Sequence, residues 1–318
     1  MARGKSRRAD PITAVPASRL PRFSAHAGRR IVLGIPTVWL IVLFLVPFII
    51  VFKISFSEVR LAMPPVAPLF EWLDGRLVAI KLNFANYAFL FTDALYVSSY
   101  LYSLKVAAVS TLLCLLLGYP MAYAIARSSP TSRSVLLMLI VLPFWTSFLL
   151  RVYAWIGLLK TNGVINNMLM SIGIIHEPLT MLQTDFAVYI GIVYSYLPFM
   201  ILPLYANLEK HDLTLIEAAA DLGARPLTAF RRITLPQSMP GIIAGSLLVF
   251  IPAVGEYVIP SLLGRTDQLM IGRVLSDEFF ENRDWPVASA VAILMLGLLV
   301  VPIMLFQHFE KRTLEAPK

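Results

Sequence analysis

Six stretches of this chain, at about 31–56, 102–126, 134–158, 187–208, 242–263 and 287–308, are predominantly apolar. A helix needs about 20 such residues to cross a ~30 Å hydrocarbon core, and each run is of that order. In lipid, every backbone polar group must be satisfied inside the protein, so long apolar runs read as spanning helices. Composition agrees: 58% of residues are hydrophobic, 14% are charged, and the mean hydropathy is +0.74. A soluble domain carries about a quarter charged residues. The expectation is an all-α membrane protein with six transmembrane helices in one polytopic domain. Pro36, Pro47, Pro120, Pro143, Pro198, Pro252, Pro260 and Pro302 fall within or beside the runs and predict kinks rather than ends.

The formal net charge of +8 is distributed unevenly. Arg3, Lys5, Arg7, Arg8, Arg19, Arg22, Arg29 and Arg30 stand against Asp10 alone, which reads as a cytoplasmic tail over 1–30. Aromatic interleaving and a folded module are missing there, so no nucleic-acid partner is expected. The apolar run after it is long enough to span and has no clear cleavage site, which argues against a signal peptide. With the N-terminus inside, the cytoplasmic segments also hold Arg127, Arg133, Lys210, Arg225, Arg231, Arg232, Lys311, Arg312 and Lys318. The opposite side holds only Arg60, Arg76, Lys81, Lys160, Arg265, Arg273 and Arg283. Both termini, the loop 209–241 and a short tail at 309–318 are therefore expected in the cytoplasm, with the transmembrane domain at 31–308. The long connection at 57–101 predicts partial structure on the other face.

No catalytic constellation emerges. His26, His176, His211 and His308 are scattered, and Cys114 lies in an apolar run without a metal-ligand spacing. Gly4-Lys5-Ser6 resembles the end of a phosphate loop but lacks the earlier glycine and the preceding strand. The chain is expected to be no enzyme and to bind neither metal nor cofactor. Energy must then come from a partner.

The most informative polar interruption is Glu217-Ala218-Ala219, three residues, Gly223, nine residues, then Ile233-Thr234-Leu235-Pro236. It predicts two short helices. Gly223 suits the left-handed turn that ends the first, and Pro226 suits the first turn of the next. Glu217 and its alanines would build the first piece. Phe230, Ile233 and Leu235 would give the second an apolar side to insert into a partner, flanked by Arg231 and Arg232 for carboxylates.

Glu256 lies deep in the fifth run, where a carboxylate is costly and faces a cavity or a partner charge. It reads either as an attractor of a cationic solute, with Tyr257 beside it, or as a structural group that pairs with Arg151 or caps a helix broken near Gly255. Arg151 reads as a snorkelling residue in an aromatic belt or as a gate. Its neighbours Trp145, Tyr153 and Trp155 are further candidates for a solute path. The acidic segment Asp277 to Pro286 reads as a funnel for cations or a docking surface.

The spaced motif at 217–236 resembles the EAA loop of ATP-binding-cassette (ABC) importer permeases, E-A-A, three residues, G, nine residues, I-x-L-P. Leu142 to Ser147, Arg151 to Trp155, Asn162-Gly163 with Asn166, and Phe279-Phe280 with Asn282 to Ala290 are similar to the permeases of polyamine importers. Within that group the resemblance is nearest to the putrescine-system subunit with a long basic N-terminus, and it covers about 31–308. It implies the type I ABC importer permease fold and a place in the bacterial inner membrane. It also implies a second, homologous permease, two copies of a cytosolic ATPase that binds ATP and Mg, and a periplasmic polyamine-binding protein. Polyamines, putrescine first, would cross by alternating access. The alternatives are another small solute on the same machinery, or a self-sufficient ion-coupled transporter, against which the docking loop argues.

Overall fold

The computed structural model describes residues 25–73 and 76–315. Most of the basic tail, Arg3 through Arg22, and residues 316–318 lie outside the described residues. The chain divides after Ile50 into two units. In the first, α1 (Ala25–Leu40) passes through a π turn (Ile41–Leu45) into α2 (Val46–Ser55), which enters the second unit. The π turn has a local cause. Pro47 has no N–H to give to Leu43, and the widened turn accommodates the lost bond. Helix begins at Ala25, within the last residues of the expected tail.

From Val51 onward the chain forms a helical bundle with one hairpin. The all-α expectation meets its exception in the connection after α2, where β1 (Phe70–Leu73) pairs antiparallel with β2 (Arg76–Ile80). The register runs from Phe70 opposite Ile80 to Leu73 opposite Arg76. Then come α3 (Ala85–Thr92), α4 (Ala94–Ala126), α5 (Pro130–Val141) and a 3-10 turn (Leu142–Trp145). They are followed by α6 (Phe148–Leu159), α7 (Val164–Ser171) and α8 (Asp185–Leu208). Next are α9 (Thr214–Asp221), α10 (Pro226–Ala229), a π turn (Phe230–Thr234), α11 (Leu235–Gln237) and α12 (Met239–Val254). The chain closes with α13 (Val258–Leu263), α14 (Ile271–Phe280) and α15 (Trp285–Glu315).

All six apolar runs fall on helix, but not as six unbroken rods. Among the described residues, four helical stretches are long and apolar enough to cross a membrane, and a bent pair makes a fifth. The run 134–158 is split, because Pro143 ends α5 in a 3-10 turn and α6 starts anew at Phe148. The run 242–263 is split at Gly255 to Tyr257, between α12 and α13. The last helix continues to Glu315, through residues expected to be a tail. The second span starts at Ala94 rather than 102, where the Asp93 carboxylate caps it by accepting the Leu95 N–H.

α4, α8 and α12 pack on one another and form the centre of this unit. Without water to drive association in lipid, such packing depends on close backbone approach at small residues. A Cβ at Gly245 of α12 would stand 2.8 Å from Met200 Sδ and 3.0 Å from the Met200 carbonyl oxygen of α8. One apolar cluster, with Cys114, Ala122, Met200, Ile201, Leu204 and Val249, fills the half of the bundle next to α9–α11. A second, with Val106, Ile192, Ile259, Leu263 and Ile271, fills the half next to α14. The break between α12 and α13 adjoins the second cluster.

Candidate coupling segment and candidate solute path

α9 starts where the Asp212 carboxylate accepts the Thr214 N–H at 2.9 Å, which holds that carboxyl below the usual range. Glu217 sits exposed in the first turn, where a negative charge suits the helix dipole. The helix ends in a Schellman turn: Ala224 N–H donates to Ala219 O at 2.9 Å, and Gly223 N–H to Ala220 O at 2.8 Å. Gly223 has φ +79°, a conformation that a side chain disfavours. Pro226 then opens α10. Helix, glycine elbow and helix therefore stand as the spacing predicts.

The apolar face of the second piece differs from expectation. Phe230 points into the chain itself, edge-on to Tyr119 at 5.7 Å and Tyr123 at 6.4 Å on α4. Its π turn adds a residue to the helical repeat and rotates the residues after it. Ile233 and Leu235 are half-buried and Pro236 is exposed. The outward apolar groups are Leu222, 89% exposed, with Leu215 and Leu227. Arg231 and Arg232 are exposed beside Leu227 and Thr228, around an open hollow of about 480 Å³. Ala218 is exposed and Ala219 half-buried.

Two ties fasten this segment to the spans. Phe230 reaches α4, and Tyr119 Oη meets Ser238 Oγ at 2.9 Å across the bend into α12. Before the segment begins, Arg133 of α5 pairs with Glu209, at the end of α8, at 2.6 Å and so joins two of the spans. The segment runs into α12 at a 63° bend. α9–α11 are thus joined to α4 and α12 by packed side chains and continuous backbone.

The second candidate region is the break in span five. Glu256 is 8% exposed. Its Oε1 accepts the N–H groups of Val258 at 3.1 Å and Ile259 at 3.3 Å, capping α13. Its Oε2 accepts the Tyr196 hydroxyl of α8 at 2.5 Å. α14 covers the break closely, since a Cβ at Gly272 would collide with the Gly255 carbonyl. The Ser103 hydroxyl of α4 accepts the Ile271 N–H at 2.8 Å and fixes the start of α14. Spans two, four and five and α14 therefore meet here. Within the structural reading, the geometry is that of capping, and Arg151 is not the partner among the described residues.

Arg151 makes no ion pair among the described residues. Its guanidinium lies over Phe144 at 5.3 Å and Phe148 at 5.7 Å. Trp155 meets Tyr194 of α8 edge-on at 5.6 Å. Trp145, 85% exposed, and Tyr153 stand on the surface, and Tyr257 is exposed beside the break. The structure does not gather these aromatics around Glu256. What sequence reasoning missed is Tyr196, Ser103 and Gly272. Only the cluster Pro252, Gly255 and Pro260 around a carboxylate signalled a broken helix.

The acidic segment at 277–286 is largely structural. Asp284 caps α15 by accepting the Val287 N–H at 3.0 Å, Glu278 accepts the Tyr96 hydroxyl at 2.7 Å, and Phe279 stacks on Trp285 at 5.1 Å. Burial raises the Asp284 and Asp277 carboxyls above the ordinary aspartate value, with Glu281 adding to Asp277.

The profile of the family described as binding-protein-dependent transport system inner membrane component matches residues 114–315. Over 284 residues the chain is 40% identical to the spermidine/putrescine transport system permease protein PotB of Haemophilus influenzae, covering 89% of this chain and 94% of that one. It is 43% identical over 231 residues to PotB of Escherichia coli K12, covering 72% and 84%. A solved bacterial alginate ABC transporter, in complex with an alginate pentasaccharide-bound periplasmic protein, aligns with TM-score 0.66 and 18% identity. That alignment covers 92% of this chain and 98% of the other, and at such identity it speaks of fold alone.

Proposed function

We propose, from the premise that this chain belongs to the family of binding-protein-dependent transport system inner membrane components, that it passes polyamines into the cell. It is a transport subunit, and hydrolysis of ATP belongs to partner subunits. The observation that carries the reading is the exposed segment 214–237, ended by the Gly223 Schellman turn and tied to α4 and α12. The identity to two permeases named for spermidine and putrescine supports the cargo. Putrescine is the finer choice within that class.

The assembly we propose has a second, homologous permease, two copies of a cytosolic ATPase docked on the coupling segments, and a periplasmic polyamine-binding protein. Glu217, Ala218, Ala219, Gly223, Arg231, Ile233, Leu235 and Pro236 would form the docking elbow on the cytoplasmic side. Phe230 would pass its motion inward to α4. The Lys and Arg asymmetry supports both termini on that side. The ATPase binds the two permease states unequally, and that difference drives alternating access. Glu256 would attract the cation at the break in span five, with Tyr257, Trp145, Tyr153 and Trp155 along the path and Arg151 as a gate.

Uptake of labelled spermidine and putrescine into proteoliposomes holding the whole complex tests this reading. ATP-dependent accumulation of either amine supports it. Accumulation of an anion, with neither amine moved, overturns it.

A further inference from the structure

The two oxygens of the Glu256 carboxylate serve different elements. Oε1 is committed to its own chain segment by the Val258 and Ile259 N–H groups. Among the described residues Oε2 has a single partner, the Tyr196 hydroxyl on span four. Tyr196 in turn leans on Phe199, with ring centroids 6.0 Å apart, and Phe199 meets Phe144 at 5.3 Å. The Arg151 guanidinium lies over that same Phe144 ring. A contiguous row of side chains therefore runs from the break in span five, through span four, to the α5–α6 junction.

A neutral phenol is the weaker kind of partner for a carboxylate. The carboxylate makes either bond charge-assisted, but an ammonium adds a full positive charge and three N–H donors, and the attraction of opposite charges is strengthened where water is scarce. We propose that the Tyr196–Glu256 hydrogen bond is a latch opened by the cargo. A primary ammonium takes Oε2 from the Tyr196 hydroxyl, Oε1 goes on capping α13, and span four is released from the break in span five. Tyr196 is thus a positioning residue, and the contact it loses reports that cargo has arrived. Arg151, a cation at the far end of the row, lies over Phe144 and Phe148 and makes no ion pair among the described residues. The inference rests on the polyamine reading and adds the contact that changes when the amine binds.

The test uses the assembled complex in nanodiscs, with ATP turnover measured in the presence and absence of spermidine-loaded binding protein. Tyr196→Phe keeps the ring against Phe199 and removes only the hydroxyl. It is expected to raise turnover without cargo by about tenfold, the scale set by losing one hydrogen bond to a charged group. Glu256→Gln keeps an oxygen to cap α13 but removes the charge, and is expected to melt near the wild type while losing the response to cargo. A wild-type ratio of stimulated to unstimulated turnover in Tyr196→Phe overturns the latch, as does a wild-type response in Glu256→Gln. Failure of Tyr196→Phe to assemble also overturns it, because a latch is not needed for folding. If wild-type turnover ignores both spermidine- and putrescine-loaded protein, the polyamine reading itself fails, and the latch with it.

Discussion

The ring of Phe230 stands at 90° to that of Tyr119, with 5.7 Å between centroids. This contact joins the elbow at 214–237 to the middle spans. An apolar side chain in an exposed polar loop would ordinarily be assigned to an external partner, but here it packs on the chain's own α4. Removing the ring breaks the tie without altering the exposed face that carries Leu215, Leu222 and Leu227. Phe230→Ala is expected to leave ATP turnover by the complex within about twofold of wild type. Uptake should fall about tenfold, as expected for losing an aromatic pair and its burial. Paired turnover and uptake assays check this.

Gly223 is required for its backbone conformation rather than for its size. No atom stands within 4 Å of a Cβ placed there, yet φ is +79°. Asn accepts that region and Val does not. Gly223→Asn is therefore expected to retain most uptake. Gly223→Val should lose it, at a cost of about 1–2 kcal/mol in the turn, while still inserting in the membrane. Uptake normalised to membrane protein separates the two.

Gly245 is required for size. Met200 leaves little room, and its carbonyl is part of the obstacle, so the helices must move apart to admit a larger residue. Gly245→Val is expected to destabilise the α8–α12 pair by about 1–3 kcal/mol, the range for overpacking. A lowered melting temperature of the purified complex is the readout.

Asp284 gives a pH dependence whose sign is set by its burial. Its carboxyl is raised in the folded protein, so the folded state binds this proton more readily than the unfolded one. Its contribution favours folding below the ordinary aspartate value and is lost as pH rises through the raised one. In wild type minus Asp284→Asn, the melting temperature should accordingly decline with rising pH across that window. A rising difference would contradict the assignment.

Sidedness is testable at two exposed positions. A cysteine placed at Leu222 is expected to react with an impermeant thiol reagent only from the cytoplasmic side, and one at Leu61 only from the periplasmic side. Cys114 is buried and adds little background.

The apolar runs, the elbow and the glycine at its corner were legible in the residues themselves, because each depends on local spacing and local backbone preference. The break in span five was harder to read. Hydropathy does not distinguish a helix that crosses whole from one interrupted at Gly255, and the Tyr196–Glu256 bond joins residues 60 apart. The inward direction of Phe230 depends on Tyr119 and Tyr123, which lie far upstream on α4, and the π turn that re-aims the residues after Phe230 is announced by no residue type. The start of α4 at Ala94 was hidden because Tyr96, Ser99 and Tyr100 are polar by type yet buried in the bundle.

The central claim is that a partner's ATP turnover moves this chain through the 214–237 elbow. The most direct measurement is spermidine uptake into proteoliposomes that hold the two permeases, with the ATPase present or omitted and the binding protein outside. Accumulation that needs both the ATPase and internal ATP is the predicted result. Equal accumulation without the ATPase, driven by an ion gradient, would contradict the account.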